Sequence, residues 1–196
     1  KSHFTKHSRN EQILVFFRLY SVSINFYVNS CNYLLTTIYI EMDGATTIGS
    51  IDEVICLNDT IFLCDKQFGR IYMCDASGNF LNVFNKRGRA SNEYLFIHDF
   101  DVDPITRTIH IYDGAKHVFQ TYSMNGDFLS QIRIEDVVRD FKVLSNGEYL
   151  IYTPDYNKGT RRGLWKIDNK GRCSEHLLNI SDSFRYGGLY PQYLHR

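Results

Sequence analysis

Apolar and polar positions alternate with the two-residue period of a strand along most of the chain. Thr60 to Asp65 (TIFLCD) puts Ile61 and Leu63 on one face and Phe62 and Cys64 on the other. Both faces are apolar, which predicts a strand covered on both sides. A polar link ending at Gly69 leads to a second β-rich run, Ile71 to Cys74. Asp75-Ala-Ser-Gly78 then reads as a turn, because Asp bonds its own following backbone and Gly supplies positive φ. Phe80 to Phe84 is the third strand. Links this short join antiparallel neighbours in a meander.

The same pattern returns downstream. TRTIHIYD ends at Asp113 as NDTIFLCD ends at Asp65, 48 residues apart. Asp75-x-x-Gly78-Asn-Phe-Leu recurs as Ser123-x-x-Gly126-Asp-Phe-Leu, and NGEYLIYT, LWKID and Gly171 form a third copy. Each copy is preceded by one more strand: Glu53 to Cys56, Asp99 to Val102 and Asp140 to Val143. Four strands in roughly 45 residues is the spacing of a β-propeller blade. A sandwich of tandem hairpins needs no turn rewritten at one period. The expected fold class is therefore all-β, a propeller of four-stranded antiparallel blades at about 51–85, 98–132 and 139–178.

The flanks read differently. Residues 1–12 are polar and basic, Ile13 to Val28 is apolar and aromatic, and Val28-Asn29-Ser30-Cys31 follows. A basic head, an apolar stretch and a small residue before cysteine is the layout of an export signal, and Val-x-Ser-Cys resembles a bacterial lipobox in which Cys31 is lipidated. The alternation in SVSINFYV equally suits a strand, so residues 1–35 are expected to be a signal-like or extra-strand segment. Thr36 to Met42 reads as a strand, Ile134 to Val138 as a short link with one helical turn, and Ser181 to Arg196 as a loop into a further blade. A ring of at least four blades at this spacing needs about 180 residues. The expectation is thus a partial propeller at 36–196, a fragment or a chain whose ring is closed by remaining blades or a second copy.

Composition narrows the function classes. Of 196 residues, 43% are hydrophobic and 15% aromatic, enough for a sizeable core. The 22 Lys and Arg balance 22 Asp and Glu, so no basic excess points to nucleic acid. The five cysteines form no CxxC and no Cys/His set with zinc spacing. Cys56, Cys64 and Cys74 fall on strands of one blade and read as buried free thiols.

The order TTIYIEMDGATTIGSIDEV, a strand ending in Asp, DxxGxFL, GRASNEY, DFDVD and IHIYD resembles a six-bladed β-propeller family of exported lipoproteins common in Bacteroidetes, relatives of the NHL-repeat propellers. The resemblance runs from about Thr36 to Leu178. Its most particular piece is the linker Gly88 to Tyr94, where Gly88, Glu93 and Tyr94 match the family's G-x-G-P-G-E-Y and Ala90, Ser91 and Asn92 depart; Asn92 can take a left-handed conformation. The resemblance implies an exported protein of the periplasm, outer membrane or cell surface, without an assigned activity and held at a membrane only through a lipid anchor at Cys31.

Candidate chemistry is sparse. Glu53, Asp99 and Asp140 are equivalent by the repeat and begin the innermost strands, so with His98 they form a candidate ligand-binding set at the channel mouth for a cation or a polyhydroxylated ligand. The alternative is that each acid bonds backbone or a neighbouring blade. Asp99, Asp101 and Asp103 share one strand face and are candidate ligands for Ca²⁺ or another divalent cation, although calcium loops of this spacing are glycine-containing turns. His110 reads as a hydrogen-bonded packing residue between blades, and Asp65 and Asp113 as turn formers. Tyr186, Tyr190 and Tyr193 are a candidate stacking surface for a sugar. No GxSxG, HExxH or phosphate loop occurs. The expected function is a non-catalytic binding or scaffold propeller for a protein or carbohydrate ligand, with no cofactor. The alternative is a metal-dependent propeller hydrolase or lyase whose site is completed by other blades.

Overall fold

The computed structural model describes residues 48–153 and 162–179, together with the strand backbones between residues 5 and 41. The described residues form four four-stranded antiparallel sheets, each a meander in chain order. The first comprises β1 (Thr5–Ser8), β2 (Glu11–Arg18), β3 (Ser21–Val28) and β4 (Tyr33–Glu41). Its strands of 8 and 9 residues are longer than those downstream, and its sequence lacks the Asp-x-x-Gly turn, so the repeat does not reveal it.

The three repeats form the remaining sheets. Blade one is β5 (Glu53–Leu57), β6 (Thr60–Asp65), β7 (Arg70–Asp75) and β8 (Phe80–Phe84). Blade two is β9 (Asp99–Asp103), β10 (Thr108–Asp113), β11 (Val118–Ser123) and β12 (Phe128–Arg133). Blade three is β13 (Asp140–Val143), β14 (Tyr149–Thr153), β15 (Gly163–Ile167) and β16 (Cys173–Asn179). The repeated turns behave as their residues demand: Gly78, Gly126 and Gly171 all have positive φ. Residues 134–138 bend without a helical turn, and Asn92 is not among the left-handed residues.

The middle strands of blades one and two are buried on both faces, as their two-sided apolar pattern requires, whereas those of blade three bury alternate positions. One core joins blades one and two, with Phe62, Ile71, Phe84, Phe100 and Ile109 at its centre. The next joins blades two and three around Phe119, Phe141, Tyr149 and Trp165. Cys64 and Cys74 are buried, Cys56 and Cys173 exposed, and none of these four is in a disulfide, which corrects the expectation of burial for Cys56.

His110 lies at the second of these seams and is 7% exposed. One ring nitrogen contacts the Thr108 hydroxyl at 2.8 Å and the other the Tyr149 hydroxyl at 2.9 Å. Burial pushes its imidazole down to about 4, against the opposing pull of Asp103 and Asp101. The unfolded chain therefore takes up this proton near pH 6.5 and the folded chain only near pH 4. The stability tied to neutral His110 is complete above pH 6.5 and is lost as pH falls to about 4, a span worth about 3 kcal/mol. Urea denaturation at pH 7 and pH 4 should show this loss in the native sequence and a smaller one in His110→Gln.

The linker from blade one to blade two owes its shape to the three residues that match the resemblance. Tyr94 is fully buried; its hydroxyl donates to the Gly69 carbonyl at 2.8 Å and accepts the Lys86 N–H at 3.0 Å. Glu93 Oε2 accepts the Ala90 N–H at 3.0 Å. A side-chain carbon at Gly88 would stand 1.8 Å from that same oxygen, so a larger residue there would push the Glu93 carboxylate off the Ala90 N–H. Tyr94→Phe strands the buried Gly69 carbonyl and takes the partner of the part-buried Lys86 N–H, and should cost about 2 kcal/mol, read as a lower urea midpoint at unchanged slope.

Candidate functional site

The innermost strands β5, β9 and β13 begin at the end of the molecule that carries the inter-blade linkers. The turns after β6 and β10 lie at the same end, because Glu53 pairs with Cys64 and Asp99 with Tyr112. This arrangement brings the predicted mouth residues to one end but not to one point.

Glu53 and Asp99 are each 6% exposed and face the seam between blades. Asp99 Oδ2 accepts the Phe141 N–H of blade three at 2.9 Å, and burial, then the charge of Glu53 on blade one, raises the Asp99 carboxyl to about 8. Asp140 and His98 are exposed. Asp140 lies 3.8 Å from Arg139 Nε. The His98 ring stands edge-on to Tyr112 at 5.6 Å, and its carbonyl accepts Lys66 Nζ at 2.6 Å. Partial burial, then the Lys66 charge, holds its imidazole below the ordinary range. Asp99 thus binds a neighbouring blade and Glu53 is buried, while His98 and Asp140 face solvent.

The DFDVD carboxylates are committed separately. Asp101 accepts the Val143 N–H at 2.8 Å and pairs with Lys142 Nζ at 2.9 Å. Asp103 turns back on its own hairpin, accepting from Ile105 N–H at 2.8 Å and the Thr106 hydroxyl at 2.7 Å. Among the described residues no group of three or more His, Cys, Asp or Glu side chains is placed to hold a metal ion. Alternation puts the three acids on one face, but the backbone of blade three and the β9–β10 turn draw them apart. Cys31 and the Tyr186, Tyr190 and Tyr193 set lie outside the described residues.

Asp65 and Asp113 do more than form turns. Asp65 accepts from Phe68 N–H at 2.9 Å and from Gly49 N–H at 2.7 Å; Asp113 accepts from Ala115 N–H at 3.0 Å and from Leu95 N–H at 2.7 Å. Each is fully buried and ties the end of its second strand to the segment entering its own blade. In blade three the equivalent residue is Thr153, which accepts Trp165 Nε1–H at 3.1 Å.

Sequence reasoning missed an exposed pair of Arg–Phe stacks at this end. Arg70 lies over the Phe68 ring at 5.4 Å and Arg87 over the Phe96 ring at 5.3 Å. Arg87 Nη1 also donates to the Gln67 carbonyl at 3.3 Å, joining the β6–β7 turn to the linker. Phe96 is 53% exposed and Phe68 36%. The sequence signal was a phenylalanine near an arginine at the polar β6–β7 link and a second in the connection that carries Arg87. At the opposite end a cavity of about 210 Å³ opens between blades one and two, lined by Leu57, Asn58, Phe62, Arg107 and Met124.

Solved structures share this fold. An exported-protein candidate from Bacteroides fragilis superposes with a TM-score of 0.64 at 18% identity, covering 74% of this chain and 42% of its own. A Bacteroides caccae protein of unknown function gives 0.58 at 12% identity, covering 90% and 65%. Virginiamycin B lyase from Staphylococcus aureus gives 0.52 at 9% identity, covering 89% and 54%. The chain therefore spans less than two thirds of the length of these structures, and at such identities the likeness shows the β-propeller fold alone. No curated protein matches the sequence. A family model described as a domain of unknown function, DUF4934, matches residues 37–193, and the chain belongs to that family.

Proposed function

We propose that this chain is part of a non-catalytic binding or scaffold propeller of the bacterial cell envelope. It engages a protein partner through the end that carries the linkers. The observation that carries this reading is the double Arg–Phe stack, Arg70 on Phe68 and Arg87 on Phe96, held at the surface by two adjacent connections. Arginine and large aromatics are the side chains that dominate protein interfaces. Here they are fixed in place before binding, so little side-chain entropy is lost on contact. The exposed His98 and Asp140 lie at the same end and add polar groups to its rim.

Export is supported by the Bacteroides fragilis neighbour, whose printed description is of an exported-protein candidate. A six-bladed, NHL-like ring accommodates the three repeats as half of its circumference, with further blades or a second copy completing it. A carbohydrate ligand and a bound divalent cation are less favoured than a protein, because the buried acids of the seams already accept hydrogen bonds from their neighbours.

The test is affinity capture and cross-linking from envelope fractions of a Bacteroides host. Phe96→Ala and Arg87→Ala should each weaken recovery of a specific partner by about 10- to 30-fold without changing the melting temperature. Leu129→Ala, on the outer strand β12 and 53% exposed, should leave it unchanged. Equal recovery with all three variants would overturn the proposed face.

A further inference from the structure

The cavity at the end opposite the linkers lies among three hairpin turns of blades one and two. Leu57 and Thr60 flank the turn Asn58-Asp59, Arg107 ends the turn between β9 and β10, and Met124 begins the turn between β11 and β12. Its floor is the edge of the first core: Phe62 is 1% exposed, and Leu57 and Met124 pack against the same cluster. Its rim is polar and carries both signs of charge, because Asp59 and Arg107 line it and are exposed. Drug-sized ligands occupy about 300–1,000 Å³. A cavity of about 210 Å³ therefore suits a smaller molecule.

The backbone around this cavity is costly. Asn58 has φ of 50° and Arg107 of 54°. Asparagine visits that left-handed region readily, whereas arginine does so at a steric cost. In the corresponding turn of blade three the positive φ falls on Gly147, at 78°. The blade-two turn is nevertheless fixed. Arg107 N–H donates to the Asp103 carbonyl at 3.0 Å, while the Asp103 carboxylate accepts from Ile105 N–H and the Thr106 hydroxyl. The guanidinium does not repay the strain by bracing the frame. The ion pairs among the described residues engage Arg139, Lys142, Lys166 and Arg172, and neither Arg107 nor Asp59 is in one. Strain held at a cavity for the sake of one charged side chain is a mark of ligand binding.

We propose that this cavity binds a zwitterionic α-amino acid with an aliphatic side chain. Its carboxylate meets Arg107, its ammonium meets Asp59, and its hydrocarbon covers Leu57, Phe62 and Met124. The planar guanidinium fork matches a carboxylate, and the Asp59 carboxylate offers only acceptors, which match an ammonium. Arg107 and Asp59 line one cavity without pairing, so a molecule carrying both charges is complementary to both. A simple anion leaves Asp59 unanswered and a simple cation leaves Arg107 unanswered. The apolar floor gains by losing water to the side chain.

Calorimetric titration and amide chemical-shift mapping of the full chain test this with three probes. These are L-leucine, 4-methylpentanoate, which lacks the ammonium, and L-leucinamide, which lacks the carboxylate. Leucine should bind at least about tenfold more tightly than either and should shift the amides of Asp59 and Arg107. Arg107→Gly puts glycine where the backbone favours it, so it should melt no lower than the native sequence yet lose at least about tenfold in leucine affinity. Asp59→Asn, in an exposed turn, should reduce leucine binding to the level of 4-methylpentanoate. The site is overturned by absence of leucine binding at millimolar concentration, by equal binding of the three probes, or by native-level leucine binding in Arg107→Gly. The comparison of probes on the native sequence decides even if a variant does not fold.

Discussion

Carboxylates that accept backbone N–H groups from another part of the chain set the geometry of this molecule. Apolar packing between blades is strong but has no direction. Charge-assisted hydrogen bonds have direction, and in a buried seam they are expensive to break. Asp65 and Asp113 fix where each linker enters its blade, while Asp99 and Asp101 fix how blade three sits on blade two. The Tyr94 hydroxyl does the same for the first linker, lodged between the Gly69 carbonyl and the Lys86 N–H. With these anchors in place the aromatic cores interlock, as where Phe119 stacks on Tyr149 at 4.7 Å.

This use of polar groups bears on function. A side chain that satisfies a buried N–H is not available to a ligand without leaving that N–H unpaired, so the acids of the seams serve the frame first. Recognition then falls to what the frame leaves outside. At the linker end that is a set of cations stacked on phenylalanine rings. On the outer strands it is a repeated exposed leucine, Leu81 and Leu129, each more than half exposed. The repeat thus builds the interior and the surface from one pattern: alternate positions of the inner strands hold blades together, and the corresponding positions of the outermost strands face solvent.

Some of the candidate site was legible and some was not. His110 was readable as a packing residue because it alternates with isoleucines on a middle strand. Asp65 and Asp113 were readable as turn residues because each ends a strand before a polar link, but their grip on Gly49 and Leu95 was not, since those partners lie in connections whose path the local pattern does not specify. The shared face of Asp99, Asp101 and Asp103 followed from strand alternation, yet that face meets the backbone of β13, which divides the acids rather than gathering them. The Glu53–Asp99 pair was visible only as a repeat equivalence.

By itself the sequence determined the all-β class, the four-strand unit and its turns. Each of these rests on short-range physics: alternation of faces, Asp and Gly in turns, and a period that needs no distant partner to be seen. The N-terminal sheet escaped because its strand lengths and turns differ from the repeat. Only the tertiary structure decided which acids meet, which amides they hold and which aromatics remain outside. Those contacts join residues 16 to 42 positions apart, and the angle between blades that brings them together is set by core packing.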